Sequence, residues 1–417
     1  MTMPRVLLLE AAGPESAALA ATAVASGYQV HAATQPGQHA TYSSDLHKVL
    51  SGCLLTDFSR PEQALDEVVD YARRMGVDAV LTTNEYLTPL VAEVCATLDM
   101  PGNDPVLAVA ARNKADMSQQ FARCGVTAPR TRVLGQQDEL SRLCTSGQLT
   151  FPCVVKPADG AGSAGVTVVR SATEAVTAFW GAREPRGMYG MPLDPRVLVQ
   201  EHAEGTEYSV ESITENGAAT HLCLTRKTVT PGAYRVELGH GLPAVLPLDA
   251  ERAVHKQVGQ AIAAVGIRNG ASHTEVMLTP DGQCTVIEIA ARLGAGQIGV
   301  LIQHALGIDP WAACLDTALG RRVRLAPTRR GYAAVRFLTS PRPGRLAAVT
   351  GLPRRGPQVP IVRVRKAVGD RVDGARCNGG RLGCFVVTGP DAVAVDRHAE
   401  QLFKRIRIEV APHLDNP

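Results

Sequence analysis

The chain has 417 residues, which at roughly 150 residues per domain is enough for two or three domains with cores of their own. Its 43 Lys and Arg against 40 Asp and Glu leave a net charge of +3, too little for a phosphate-neutralising surface, so a nucleic-acid partner is not expected. Hydrophobic residues make up 45% and charged residues 20%, which is ordinary for a folded globular protein and unlike a disordered chain.

Cysteines and apolar runs argue against several further classes. Ten cysteines are scattered without a Cys-x-x-Cys pair, which disfavours a zinc site and a disulfide framework and predicts a cytoplasmic protein. The first apolar run is interrupted by Glu10 and no small-residue cleavage pattern follows, so it predicts a strand and not a signal peptide. No stretch approaches about 18 apolar residues free of charge, so we expect no membrane partner.

The pattern of residues 1–105 predicts a small α/β domain with a parallel sheet, because short apolar runs alternate with helical composition. The predicted elements are a strand at 5–9, a helix at 15–26, a strand at 29–33, a helix near 61–75, a strand at 78–82 and a helix at 86–98. The turn after the first strand has one glycine, Gly13, where a dinucleotide-binding turn needs several. An NAD-binding role is therefore disfavoured.

After about residue 106, helices and strands are joined by glycine-rich turns. The predicted elements are two strands within 151–170, strands within 196–213 and 219–230, a helix at 250–265, a hairpin at 273–289, a helix at 298–306 and a last helix at 390–404. Pro327 and the basic pair after it mark a boundary. We predict an α/β and α+β multidomain fold: an N-terminal parallel α/β domain (1–105), two α+β subdomains (106–195 and 196–325) and a small C-terminal α+β domain (326–417).

A glycine-rich loop is the first feature that could bind a ligand. Lys156 precedes Asp159-Gly-Ala-Gly-Ser163-Ala-Gly165 between two predicted strands. Backbone N–H groups of such a loop can face phosphate oxygens while the lysine supplies a charge. It is not a Walker A loop, because no Gly-Lys-Ser/Thr follows. A flexible hairpin tip is an equally good interpretation of this loop by itself.

An acidic hairpin is the second feature. Asp281-Gly282 lies between alternating runs, and a two-residue turn there places Glu275 directly opposite Glu288. Facing carboxylates destabilise a sheet unless they are neutralised, and oxygen-only ligands suit Mg²⁺. The alternative is a solvated pair on an outer strand face. We favour the metal, because Arg292 and a small-residue run, 293–296, follow at once.

A third group combines Arg226-Lys227 with Glu237 and His240, and it could line a polar pocket or lie on the surface. The order of the features is more informative than any one of them. A glycine loop with a lysine, then basic residues, then facing carboxylates and an arginine is what a nucleoside triphosphate site with Mg²⁺ requires.

With these motifs in this order, residues 1–325 resemble the ATP-grasp superfamily. The motifs that carry the resemblance are Ala-Arg-Asn-Lys114, Val-Val-Lys156-Pro with its loop, Gln200-Glu201-His-Ala203, Gly-Thr-Glu207, and Glu275 with Glu288. The resemblance implies that Lys114 and Lys156 hold the phosphates of ATP, with Ser163 in the loop. It further implies adenine contacts from the segment at Gln200, through the backbones of Glu201 and Ala203, a ribose contact from Glu207, and Mg²⁺ at Glu275 and Glu288.

Most superfamily members have Glu-x-Asn at the second metal position, whereas this chain has Glu288-Ile-Ala-Ala-Arg292. That pattern, with Glu237-Leu-Gly-His240 before it, resembles the L-amino acid α-ligases, which join two free amino acids into a dipeptide. Residues 326–417 resemble the small C-terminal domain of such ligases in length and in the order of strand-like and helical segments. The resemblance implies that ATP phosphorylates a carboxylate, an amine attacks the acyl phosphate, and ADP and phosphate are released.

Roles follow from this chemistry. We expect Arg292 to stabilise the acyl phosphate and the tetrahedral intermediate. Glu237 is the candidate for the ammonium of the first amino acid, His240 for substrate orientation or proton transfer, and Lys227 for added charge near the phosphates. Closure of the glycine loop should exclude water from the acyl phosphate. The small-residue run up to Gly296 is expected to line the first amino-acid pocket.

Three alternatives stay open. The enzyme could ligate a specialised metabolite or a peptide amine, and the same pocket could belong to an ATP-binding module without catalysis. A bicarbonate-using carboxylase is less favoured, because the chain has no biotin-carrier lysine motif. The expected partners are small amino-acid-like substrates, and the resemblance is also compatible with a homodimer.

Overall fold

A computed structural model describes residues 3–184 and 187–412. Over these residues the strands form four sheets, and the architecture is the predicted mixture of α/β and α+β units. In the described part no single helix is long and apolar enough to cross a membrane; the helices Ile298–Leu306 and Pro310–Ala318, bent by 107°, pass that test only as a pair.

The first sheet is parallel, with the strand order β3-β2-β1-β4, and it belongs to the N-terminal α/β unit. Its elements are β1 (Arg5–Leu9), α1 (Pro14–Ala25), β2 (Gln29–Thr34), α2 (Pro36–His39), α3 (Ser44–Val49), β3 (Leu50–Leu55), α4 (Pro61–Met75), β4 (Ala79–Leu81), a 3₁₀ turn (Glu85–Leu87) and α5 (Thr88–Thr97). Strand β1 is almost wholly apolar because helices cover both faces of a parallel sheet. The sequence patterns predicted neither α3 nor β3.

The second sheet is antiparallel, with the order β5-β8-β6-β7, and it carries the glycine-rich loop between β6 and β7. The elements of this region are a 3₁₀ turn (Ala108–Ala111), α6 (Lys114–Cys124), β5 (Thr131–Leu134), α7 (Gln137–Thr145), β6 (Cys153–Pro157), β7 (Thr167–Val169), α8 (Ala172–Arg183) and β8 (Val197–Glu201). Phe179 of α8 is fully buried in the core beneath this sheet.

The third sheet is the largest, with the order β13-β12-β9-β10-β11-β14-β18-β16. Its strands and the elements between them are β9 (Thr206–Glu215), β10 (Ala218–Val229), β11 (Glu237–Leu242), α9 (Leu248–Ala264), β12 (Gly270–Leu278), β13 (Cys284–Ala290), α10 (Ile298–Leu306), α11 (Pro310–Ala318) and β14 (Tyr332–Thr339). The later elements are β15 (Pro343–Thr350), β16 (Ile361–Val364), β17 (Arg371–Asp373), a 3₁₀ turn (Asn378–Gly380), β18 (Arg381–Gly389), α12 (Ala392–Phe403) and β19 (Arg407–Ala411).

Two features of this arrangement position the site. Strands β14, β16 and β18 of the C-terminal region hydrogen-bond into the same sheet as β9–β13, while β17, β15 and β19 form a separate small sheet. Helix α11, which the sequence patterns did not predict, packs Trp311 against the N-terminal unit in a core that includes Val6 and Leu8. The N-terminal and C-terminal regions therefore both reach the middle of the molecule.

Candidate active site

A cavity of about 680 Å³ opens between the glycine-rich loop, the large sheet, the start of α1 and the C-terminal 3₁₀ turn. Every residue assigned a site role from the sequence lines this cavity: Lys114, Lys156, Ser163, Gln200, Glu201, Ala203, Glu207, Lys227, Glu237, His240, Glu275, Glu288 and Arg292. The structure brings these side chains together from α6, the second sheet, the glycine-rich loop and the third sheet. Their individual roles stay predictions.

The acidic hairpin pairs Glu275 with Glu288, as the sequence predicts, but through a different geometry. The turn is wider than the predicted two residues, because Leu278 pairs with Cys284 and the Thr279 N–H donates to the Gln283 carbonyl at 3.0 Å. The prediction of a two-residue turn is therefore wrong. A bulge between Glu275 and Val276 in the register restores the offset, so the two carboxylates still face each other.

Two buried lysines neutralise the acidic pair. The Lys114 ammonium lies 2.9 Å from Oε1 of Glu288. The Lys227 ammonium contacts Glu275 and also lies 2.9 Å from Glu207 and 3.0 Å from Glu237. Burial opposes the charge of Lys227, but the three carboxylates outweigh it and hold its pKa well above the ordinary value. Lys227 is thus a shared counter-ion for three carboxylates.

The residues fit a divalent cation that takes part of its coordination from phosphate. Among the described residues no three His, Cys, Asp or Glu side chains converge to hold a metal by themselves. The Glu275 and Glu288 side chains keep 24% and 23% of their surface exposed toward the cavity. Magnesium is commonly held by one or two carboxylates with phosphate oxygens and waters, which is the set these two residues could complete.

The glycine-rich loop is fixed at its base, and the strand that leads into it carries an unpaired cation. Arg112 donates to both carboxylate oxygens of Asp159 at 2.8 Å, and Lys114 donates to the Gly160 carbonyl at 2.7 Å. Lys156 is only 4% exposed, yet within the described segments its ammonium has neither an ion pair nor a hydrogen bond. Burial lowers the pKa of Lys156 to about 8. A buried cation without a counter-ion suits an anionic ligand.

The loop backbone supports the same interpretation. Gly162, Ser163 and Gly165 all have positive φ angles, of 65°, 59° and 74°. Such left-handed residues turn successive N–H groups toward one side of the chain, where they can form an anion-binding concavity.

Comparison with known proteins agrees with this geometry. Residues 20–102, 149–300 and 336–411 match the ATP-grasp N-terminal domain, the ATP-grasp domain and the L-amino acid ligase C-terminal domain 2. Dapdiamide A synthase from Enterobacter agglomerans is 30% identical over 321 residues, which are 74% of this chain and 72% of that protein. The chain belongs to the ATP-grasp superfamily.

Two further similarities place the chain near the amino-acid ligases of this superfamily. Alanine–anticapsin ligase from Bacillus subtilis is 28% identical over 278 residues, which are 62% of this chain and 58% of that protein. The crystal structure of L-amino acid ligase from Bacillus licheniformis superimposes with a TM-score of 0.81 at 20% identity, covering 98% of this chain and 99% of that one. The resemblance inferred from the sequence motifs is confirmed.

A buried histidine adds a further cation to this ATP-grasp site. Nδ1 of His273 lies 2.7 Å from Oε1 of Glu211, and Nε2 lies 3.5 Å from Glu275. Burial disfavours the imidazolium, but Glu211 and Glu275 outweigh burial and raise the pKa of His273 to about 9. His273 is therefore charged at neutral pH. The sequence analysis gave it no role, although it lies two residues before Glu275 on the same strand face.

Arg292 is held by a residue of the N-terminal unit. Glu85, in the 3₁₀ turn after β4, accepts from Nε of Arg292 at 3.1 Å and also contacts its Nη2. Burial raises the pKa of a carboxyl group, but Arg292 and Lys114 outweigh it and keep the pKa of Glu85 below its ordinary value. Glu85 was missed in the sequence analysis because it lies in no motif.

The C-terminal region contributes Asn378 and Arg381, which the sequence analysis also missed. Arg381 donates to the Glu237 carbonyl through Nε at 3.1 Å and contacts the Glu237 carboxylate through Nη2. Its guanidinium carbon lies 3.8 Å from the centre of the Phe337 ring. Glu237 is thus surrounded by Lys227, Arg381, Asn378 and His240. These contacts hold the pKa of Glu237 well below its ordinary value although burial alone would raise it.

Proposed function

We propose that this ATP-grasp protein is an ATP-dependent carboxylate–amine ligase that forms an amide bond between amino acids and releases ADP and phosphate. The observation that carries the proposal is one cavity that contains the facing pair Glu275 and Glu288, the unpaired cation Lys156 and the guanidinium of Arg292. Phosphoryl transfer to a carboxylate needs each of these charges close together.

Different residues of the cavity would bind the phosphates and the metal ion in the first step. Lys156 and the N–H groups of the glycine-rich loop would bind the phosphates. The ammonium group of Lys114 would turn from Glu288 toward the nucleotide. Glu275 and Glu288 would hold Mg²⁺, which neutralises charge that develops on phosphate oxygens. In the first step an oxygen of the substrate carboxylate forms a bond to the γ-phosphorus while the bond to ADP breaks.

In the second step the amine attacks the acyl carbon and phosphate leaves with the former carboxylate oxygen. Arg292, held by Glu85, would stabilise the negative charge of the tetrahedral intermediate. The attacking amine must lose a proton. His240 lines the cavity, and its Nε2 lies 3.5 Å from Glu237, so His240 is the candidate acceptor or orienting group. Glu237 stays the candidate for the substrate ammonium.

The proposal is tested by incubating the protein with ATP, Mg²⁺ and all twenty amino acids and identifying products by mass. We expect dipeptides together with stoichiometric ADP and phosphate. Glu288→Gln should abolish amino-acid-dependent ADP formation, because it removes half of the metal-binding pair. Glu409→Gln, an exposed change on β19, serves as the matched control and should not alter activity. Near-normal activity of Glu288→Gln would contradict the metal role.

A second substrate class is supported by two of the relatives. Alanine–anticapsin ligase and dapdiamide A synthase carry names of specialised small molecules, so the amine or the acid here could be a non-standard amino acid. ATP cleavage that appears only with such compounds, and with no pair of the twenty amino acids, would favour this version. Bound ATP that is not cleaved with any substrate would favour a binding module.

A further inference from the structure

We propose that Arg363 and Arg365 form a carboxylate-binding subsite that holds the substrate which supplies the amine. The inference rests on the proposed function, since it concerns the second substrate of that reaction. Both arginines belong to the C-terminal region, to which the sequence analysis gave no role, and both line the active-site cavity.

The register of the large sheet explains how they reach the cavity. Arg363 pairs with Cys384 of β18, and Cys384 in turn pairs with Phe337 of β14, so these three side chains share one face of the sheet. Arg365 lies two residues further along, and its N–H donates to the Leu382 carbonyl at 2.7 Å, which continues the strand pairing. Arg365 follows the end of β16, and its side chain lines the same cavity as that of Arg363.

The charges around these arginines are unbalanced. Within residues 3–184 and 187–412 neither guanidinium forms an ion pair or a hydrogen bond, and both side chains are exposed to the cavity. Arg381, on the same wall, is already bound to Glu237. Glu15 from the start of α1 also lines the cavity, but among the described residues it forms no ion pair with Arg363 or Arg365. The wall is left with two guanidinium groups that lack a counter-ion.

The chemistry of the reaction identifies the anion that they would bind. Two amino acids enter a dipeptide-forming site, and only one carboxylate must be phosphorylated. Lys114 and Lys156 provide cations beside the glycine-rich loop and the acidic pair, where the phosphates are expected. The guanidinium fork matches a carboxylate with two parallel hydrogen bonds. Arginines at the C-terminal wall would hold the second carboxylate away from the phosphoryl group and leave its amine free to attack.

The test compares an acceptor amino acid with its carboxamide. For the amino-acid pair found by product analysis, the wild-type KM for the acceptor should be about tenfold or more lower than that for the carboxamide, which lacks the charge. In Arg363→Gln/Arg365→Gln the acceptor KM should rise to the carboxamide value, with the KM for ATP unchanged. Arg371→Gln, an exposed arginine of the small sheet, should behave as wild type.

Other outcomes are equally decisive. If the KM for ATP rises instead, the arginines bind phosphate and the proposal is overturned. An unchanged KM for the acceptor in the double variant would also overturn it. If the wild type forms no product with any pair, the proposed function fails, and calorimetry decides about the subsite. In calorimetry with Mg²⁺ and ADP present, the wild type should bind amino acids more tightly than their carboxamides. The loss of this difference in the double variant would support the subsite. Equal binding of the two would overturn it.

Discussion

Asn378 and Glu237 are joined by two hydrogen bonds that run in opposite directions. The Glu237 N–H donates to Oδ1 of Asn378, and Nδ2 of Asn378 donates to Oε2 of Glu237, both at 3.0 Å. The Asn378 N–H donates to the carbonyl of Gly162 in the glycine-rich loop, also at 3.0 Å. One C-terminal residue therefore connects the loop that would cover the phosphates to the carboxylate assigned to the substrate ammonium.

Asn378→Ala should lower kcat/KM for the amino-acid substrates by about tenfold or more, because a hydrogen bond to a charged group contributes roughly 1.5–3 kcal/mol. The backbone contact to Gly162 is retained, so the KM for ATP should change less than the KM for amino acids. Steady-state phosphate release measures both. Asn378→Asp keeps the acceptor for the Glu237 N–H but adds a like charge, and should be no better than alanine. Equal changes in both KM values would show that Asn378 has only a structural role.

The contact between Glu85 and Arg292 gives a second prediction. Glu85→Gln keeps an acceptor for Arg292 but removes its counter-ion, so the guanidinium should lose its fixed orientation. We expect kcat to fall by about tenfold or more with little change in the KM for ATP, since the assigned charge develops in the transition state. Arg292→Ala should lower kcat at least as far.

A double variant separates positioning from an independent role. If Glu85 acts through Arg292, Glu85→Gln combined with Arg292→Ala should be no slower than Arg292→Ala alone. Multiplied losses would contradict the positioning role. Melting temperatures are needed beside the rates, because removing one partner of a buried ion pair costs about 3–5 kcal/mol of stability when the other charge stays buried.

These two contacts show where prediction from the sequence stops. The residues of the local motifs were found, because glycine loops and acidic hairpins have their chemistry within a few positions. Glu85 lies 207 positions from Arg292, and Asn378 lies 141 positions from Glu237. No periodicity links residues so far apart. The packing of α11 against the N-terminal sheet, and the pairing of β14 with both β11 and β18, bring them into one cavity.

The acidic hairpin shows a different limit. The facing of Glu275 and Glu288 was predicted, although the predicted two-residue turn is wrong. Thr279 widens the turn by bonding to Gln283, and the bulge beside Glu275 compensates for it. Asp-Gly is a strong hairpin signal, but the side chain and backbone of a neighbouring threonine were not considered. Similarly, the sequence predicted the helix at 298–306 and missed the one that starts at Pro310, since only the first has a clear apolar period.

The lowered pKa of Lys156 predicts that nucleotide binding depends on pH. Its pKa of about 8 means that it is charged below about pH 8 and neutral above it in the nucleotide-free protein. Phosphate binding favours the charged form, so ADP affinity should fall as pH rises through about 8, by at most about tenfold per pH unit for one proton. The effect on stability has the opposite sign: the unfolded chain, with a lysine pKa of 10.5, binds more protons than the folded chain between these two values, so this contribution to stability rises with pH.

The matched variant for this prediction is Lys156→Arg. A guanidinium stays charged across the range, so this decline in ADP affinity should disappear. His273 is unchanged in both proteins, and any titration of that residue therefore cancels in the comparison. Calorimetric ADP titrations at several pH values on both sides of 8 measure the difference. An identical decline in the two proteins would assign the titration to another group.

The last prediction concerns the wall of the first amino-acid pocket. Gly296 has a φ of +71°, and a Cβ there would lie 3.0 Å from Nε2 of His240 and 3.1 Å from Cζ of Phe337. Gly296→Ala should therefore destabilise the protein by about 1 kcal/mol or more. It should also push His240 or Phe337 toward the cavity, so that kcat/KM falls more for large amino acids than for glycine or alanine.

Phosphate-release rates over a series of amino acids of increasing size measure this effect. Gly259→Ala is the control, because Gly259 lies within α9 and a Cβ there meets nothing within 4 Å. That change should leave the substrate range unaltered and keep or raise the melting temperature, since alanine favours a helix by about 1 kcal/mol over glycine. A loss in Gly296→Ala that is the same for every amino acid would reflect destabilisation alone. It would remove Gly296 from the pocket, because a wall residue must discriminate by the size of what it touches.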